Sequence, residues 1–219
     1  MIENQPLACV PTHCGRARVT AKVHASEAPR SVRVYFRAPD QTSEYYIEMM
    51  KGTGDDYWAI LPATADATSA VVYRVAARDS KGAETSTDST TVPVTGACAG
   101  AELSPGEISY ASNMALGLTS DSQSAVPGGF RCAGIQSQIS STGEVLKPNE
   151  NCRQILLANA DEACDKQRRP IVAASTAAVS PAEAAGLVAA GAAAAAGGAV
   201  VYQNNRGSEK PVSSLRPRP

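Results

Sequence analysis

Between Arg18 and Val94 apolar and polar side chains change places at nearly every step, and this limits what the chain can fold into. Val32, Val34 and Phe36 alternate with Arg33, Tyr35 and Arg37. A strand points successive side chains to opposite faces, so this pattern buries one face and wets the other. Arg18 to Ala25 alternates in the same way until Glu27-Ala28-Pro29 breaks it. Pro39-Asp40-Gln41 turns the chain into a strand from Glu44 to Met50. Gly52-Thr53-Gly54-Asp55-Asp56 turns it again into one from Tyr57 to Leu61, which Pro62 ends. Ala70 to Arg78 makes a long strand, and Glu84 to Val94 is Thr-rich with Pro93 near its end, as on a sheet edge. Six or seven strands at spacings of roughly 8 to 12 residues predict a β-sandwich over residues 1–98.

Within it, Tyr73-Arg74-Val75-Ala76-Ala77-Arg78-Asp79-Ser80-Lys81-Gly82 resembles the penultimate strand and following turn of fibronectin type III modules. A Tyr-x-Val-x-Ala strand there runs into a polar turn ending in Gly. The resemblance implies a fibronectin-III-like or immunoglobulin-like fold and carries no specific activity. A tryptophan on an early strand is common in that family; the one tryptophan here, Trp58, falls on a later strand, and the Arg-Gly-Asp tripeptide is absent.

The outward positions collect Arg33, Arg37, Arg74 and Arg78 together with Glu44 and Glu48. They read as a surface patch for an anion or a partner, or more simply as cross-strand charge pairs on a solvated face. Tyr45, Tyr46, Tyr57 and Trp58 are candidates to stack on a sugar, or to fill the core, with Trp58 first in line for the core.

Six cysteines, Cys9, Cys14, Cys98, Cys132, Cys152 and Cys164, avoid the sandwich strands. An even number at module edges reads as disulfides and an oxidising compartment, and six allow about 15 pairings. A helix from Arg153 to Ala163 would hold Cys152 and Cys164 roughly 18 Å apart, beyond the ~7 Å reach of a disulfide, which leaves Cys132 as the nearest partner. Joining Cys9 or Cys14 to Cys98 would fasten the sandwich ends, although such sandwiches normally place their ends at opposite poles. Met1 is followed by Glu3, Asn4, Gln5 and Pro6, which is no secretory leader. An export signal outside this chain is therefore expected, unless another route is used or the thiols stay reduced.

Residues 99–170 read as a small α+β segment with three cysteines. Ser104-Pro105-Gly106-Glu107 forms a capping box with Pro at the first helical position. Ile108, Ala111, Ala115 and Leu118 then share a helical face, so a helix is expected to run on to Gly117. Cys132 to Ile139 and Glu144 to Leu146 suggest a hairpin about Ser140-Ser141-Thr142-Gly143, and Asn149 or Asn151 caps a second helix over 153–163.

Residues 171–183 form a linker ending in a second cap, Ser180-Pro181-Ala182-Glu183. From Ala184 to Tyr202 there are 19 residues without charge, ten of them Ala and four Gly. As a helix this spans roughly 28 Å, close to a bilayer's hydrocarbon core, and makes 184–202 a candidate transmembrane helix, though its hydropathy also suits a soluble Ala-rich helix or linker. Gly186, Ala190, Ala194 and Gly198 fall on one small-residue stripe where two helices could pack. Tyr202 and a polar, Pro-rich, basic tail over 203–219 follow, expected to be disordered. Positive residues there would place the tail in the cytoplasm and the sandwich outside.

The charge balance, 20 basic against 21 acidic residues, supplies no field for nucleic acid. Cys9, His13, Cys14 and Cys98 match no common zinc spacing, and no hydrolase elbow, zincin helix, P-loop or dinucleotide fingerprint occurs. No cofactor and no enzymatic activity are expected. The sequence points to a membrane-anchored binding or structural module of the cell envelope. Its partners would be the bilayer and a protein or envelope component. The alternatives are an oligomeric membrane assembly driven by the Ala/Gly helix, and a cryptic hydrolase.

Overall fold

A computed structural model of the chain describes residues 1–158. The elements are β1 (Ile2–Gln5), β2 (Val10–Pro11), β3 (Arg18–Val23), β4 (Ser31–Arg37), β5 (Tyr45–Glu48), β6 (Met50–Lys51), β7 (Asp56–Ile60), β8 (Ala70–Arg78), β9 (Glu84–Ser86), β10 (Thr90–Thr95), α1 (Pro105–Ser112), β11 (Met114–Leu118), β12 (Ile135–Ile139), β13 (Leu146–Pro148) and α2 (Glu150–Ala158). The protein is mainly β, in two sheets.

The smaller sheet runs β1-β3-β7-β6, all antiparallel. The larger runs β13-β12-β11-β5-β4-β8-β10-β2, with β9 paired to β8. One core cluster draws on both: Val19, Ala21, Val23, Tyr57 and Ala59 from the smaller sheet, and Val32, Val34, Phe36, Val71, Tyr73 and Val75 from the larger. These are the alternating positions read from sequence, and the arrangement is compatible with a β-sandwich. Burying Phe36, Tyr73 and their aliphatic neighbours contributes about 1.5–3 kcal/mol per large side chain.

The expected strand Glu44 to Met50 is in fact two. β5 lies in the larger sheet and β6 in the smaller, with buried Met49 at the corner between them. The Thr-rich stretch likewise divides into β9 and β10. The N-terminal strands carry no alternating apolar signal, yet both pair: β1 with β3 and β2 with β10.

The parallel β2–β10 pairing, Val10 against Val94 and Thr95 against Pro11, sets Cys9, just ahead of β2, at the pole where β10 ends. A turn in which the Cys98 amide donates to the Thr95 carbonyl (3.2 Å) folds the chain back, and Cys98 bonds to Cys9 with Cα atoms 5.9 Å apart. Met1, bonded to His24 at the far end of β3, lies at the opposite pole from Cys98, as such sandwiches lead one to expect; the disulfide forms because β1 first runs along β3 and β2 then crosses to lie beside β10.

Residues beyond 98 lengthen the larger sheet, since β11 pairs with β5 (Gly117 against Tyr46). The helix expected to reach Gly117 stops at Ser112. Asn113 caps it, its side-chain amide donating to the Ser109 carbonyl (2.9 Å), and the chain turns extended. Gly117 is required there, because a Cβ would lie 2.2–2.3 Å from carbons of the Tyr46 ring. β12 and β13 form the expected hairpin about Gly143, whose φ of 78° suits glycine. α2 begins earlier than expected. Asn149 is the cap, its Oδ1 accepting from the Cys152 amide (3.1 Å), and Cys152 bonds to Cys132 with Cα atoms 5.0 Å apart.

Candidate functional site

The patch predicted from sequence lies on the outer face of β4, β5 and β8. Arg33 donates to Glu48 (2.7 Å) with its guanidinium 4.2 Å above the Tyr46 ring. Arg74 forks onto Glu44 (2.8 and 3.2 Å) and lies 4.1 Å over Tyr35. Glu84 bridges Arg74 (3.8 Å) and Arg78 (3.1 Å). Arg37 donates to the carbonyls of Ala38, Pro39 and Gln41. Burial works against the charged form of Arg33 and of Arg74, but the hydrogen-bonded carboxylates outweigh it and raise both pKa values. The four guanidinium groups are thus occupied by the protein itself. The face is a clamp of cross-strand pairs over two tyrosines, each exposed pair contributing a few tenths of a kcal/mol.

Of the aromatic candidates, Tyr45 and Tyr57 are core residues and Tyr46 is buried beneath Arg33. Trp58, the first candidate for the core, lies elsewhere. Tyr57, Ala59 and Leu61 take the inward positions of β7, so parity turns Trp58 to the outer face of the smaller sheet. It is half-buried there, opposite Thr20 and Met50 in the neighbouring strands. Tyr110 of α1 meets it edge to face, ring centroids 5.2 Å apart. The Tyr110 hydroxyl donates to the Glu48 carbonyl (2.7 Å), and burial pushes the phenol pKa up.

α1 lies against β7 and walls an open groove of about 650 Å³ on that face. Its lining includes Trp58, Gln5, Thr20, Lys22, Asp56 and the Arg18–Glu107 pair. Arg18 donates to Glu107 at 2.8 Å, and Glu107 closes the capping box by accepting from the Ser104 amide (2.8 Å). The Arg18 bond first, then the Ser104 amide and hydroxyl, hold the Glu107 carboxyl at about 2. Lys22 and Asp56 stand 4.0 Å apart, both more than half exposed.

Cys9 and Cys98 are joined to each other, so their sulfurs are not free for zinc, and His13 faces Asp66 (3.4 Å). Cys14 is disulfide-bonded as well. The Asp55-Asp56 stretch is a turn: the Asp56 amide donates to the Thr53 carbonyl (3.2 Å), and Asp55 Oδ2 lies 3.0 Å from His24 Nδ1, accepting from it in the tautomer that carries its proton there. Among the described residues no group of three or more His, Cys, Asp or Glu could hold a metal ion, and no helix is long and apolar enough to cross a membrane. Cys164, the candidate span 184–202 with Gly186, Ala190, Ala194 and Gly198, and the tail 203–219 lie outside the described residues.

No protein-family model and no curated protein matches the chain. Fold and site together define a mainly β protein with two sheets and disulfide bonds.

Proposed function

We propose that this chain is a binding module of an oxidising, extracytoplasmic compartment, built on an immunoglobulin-type sandwich and tethered to a membrane by residues 184–202. The observation that carries the reading is the disulfide pair Cys9–Cys98, which encloses β2 to β10, and Cys132–Cys152, which is buried. Such bonds persist where the surroundings oxidise thiols and are rare in a reducing cytosol.

The kinship with immunoglobulin and fibronectin type III modules is supported by strand order. β1-β3-β7-β6 follows the A-B-E-D order of such sandwiches, and β5-β4-β8-β10-β2 follows C′-C-F-G with the leading strand switched across. β8 and its turn carry the Tyr73 to Gly82 motif. Asp79 accepts from the Lys81 and Ala83 amides (2.9 and 2.8 Å), and Gly82 sits at φ 88°. The membrane tether rests on the uncharged stretch Ala184 to Tyr202 and the basic residues after it. Non-catalytic binding is the task this scaffold suits, with one face clamped by its own ion pairs and the other open beside an aromatic side chain.

The test is a non-reducing gel on fractionated cells expressing the full chain. Oxidised protein in the membrane fraction is the expected result. Reduced protein in the soluble fraction would overturn both the compartment and the tether.

A further inference from the structure

The groove over Trp58 joins three properties. It is open, its charges pair with one another, and an aromatic ring stands in it among hydrogen-bonding side chains. We infer that this groove binds a neutral oligosaccharide, with Trp58 the ring against which a sugar stacks and Gln5, Thr20, Lys22 and Asp56 the partners of its hydroxyls.

A sugar ring has an apolar C–H face and a rim of hydroxyls, so its site must offer an aromatic side chain for the one and mixed donors and acceptors for the other. Trp58 supplies the first, and its orientation is held by Tyr110, itself anchored on the Glu48 carbonyl. Gln5 and Thr20 lie across β1 and β3, where Thr20 Oγ1 donates to Gln5 Oε1 at 3.3 Å. This contact is long enough to exchange for a ligand hydroxyl. Lys22 and Asp56 remain more than half exposed at 4.0 Å and can each take a hydroxyl.

Charge argues for neutrality. Arg18 is committed to Glu107 and Lys22 faces Asp56, so no unpaired cation waits for a phosphate or sulfate. Glu3, on the rim, adds a further carboxylate against an anion. A peptide added as a strand is excluded by position, because the groove lies on the sheet's face, where the β3 backbone is already paired on both sides. The volume, about 650 Å³, is that of a small-molecule site.

The inference deepens the binding-module reading. Its failure would leave the compartment untouched, because the gel and the sugar titration read different things. Trp58 is the chain's one tryptophan, so intrinsic fluorescence of the full chain reports from the groove itself. The probes are the β-1,4-linked hexamers of glucose and of N-acetylglucosamine, with a sulfated polysaccharide and a proline-rich peptide as comparators. A saturable change in emission with at least one hexamer is expected. Calorimetry on Trp58→Ala should show affinity weakened about tenfold or more. Should that variant unfold, Gln5→Ala, at an exposed position, should weaken the same hexamer by about fivefold with an unchanged melting temperature. No saturable response to either hexamer, tighter binding of either comparator, or undiminished affinity in Gln5→Ala would overturn the inference.

Discussion

The phenolic oxygen of Tyr73 accepts a hydrogen bond from the backbone N–H of Leu7 at 3.0 Å. Tyr73 stands fully buried on β8 in the larger sheet, and Leu7 lies in the crossover that carries the chain from β1 to β2. Its ring thus fills the core while its oxygen holds the point where the N-terminal segment changes sheets. Asn4 donates to the same oxygen at a longer 3.4 Å. Tyr73→Phe keeps the ring and strands the Leu7 amide, which should cost about 1–2 kcal/mol in urea unfolding. An unchanged midpoint would mean the crossover is held by its strands alone.

The two described disulfides should be separable by substitution. Replacing Cys9 and Cys98 together by Ser opens a link across 89 residues, and replacing Cys132 and Cys152 opens one across 20. Each double variant should lose about 3 kcal/mol, with the longer link contributing somewhat more. Peptide mapping without reductant checks the connectivity, and thermal melts compare the losses.

Glu107 gives the stability a pH dependence of known sign. Its carboxyl is held at about 2 by Arg18 and by the Ser104 amide and hydroxyl, below its ordinary 4.5. The folded pKa is depressed, so the stabilisation is complete above 4.5 and drains away as the pH falls toward 2. Arg18 is 43% exposed, and solvent screening keeps the contribution to about 1 kcal/mol. Glu107→Gln should be destabilised by that amount at neutral pH and should converge with the parent near pH 2.

Two glycines make a matched pair. Gly117→Ala would press a methyl into the Tyr46 ring, at 2.2–2.3 Å from its carbons, and should cost about 1–3 kcal/mol or more as β5 and β11 are forced apart. Gly106, in the first turn of α1, has nothing within 4 Å of an added Cβ. Gly106→Ala should be neutral or stabilising by up to about 1 kcal/mol. Melting curves of the two variants should move in opposite directions or differ clearly in size.

Much of the sandwich was legible because period two is hard to imitate. Ala70 to Arg78 is a strand with the bounds its alternation suggests, and Val32, Val34 and Phe36 point inward as read. β1 has no local signature, since Ile2 to Gln5 carries one strongly apolar residue and is a strand through pairing with β3. At β11 two patterns compete, for Ile108, Ala111, Ala115 and Leu118 fall at helical spacings. The competing pattern, Met114, Leu116 and Leu118 in alternation after Asn113, is the one the fold uses. Residue type alone makes Trp58 a core candidate, but parity along Tyr57, Ala59 and Leu61 turns it outward. The groove needed α1 beside β7, a long-range packing that no local pattern encodes.

A pull applied at the two ends of the described chain would take a short route. Tension entering at Met1 passes from Cys9 straight to Cys98 through sulfur, and later from Cys132 to Cys152 in the same way. The strands from β2 to β10 lie within the ring that the Cys9–Cys98 bond closes, off that route. While that bond stays oxidised, the enclosed strands behave as an inextensible bead on a taut line, and reducing it opens the ring to the pull.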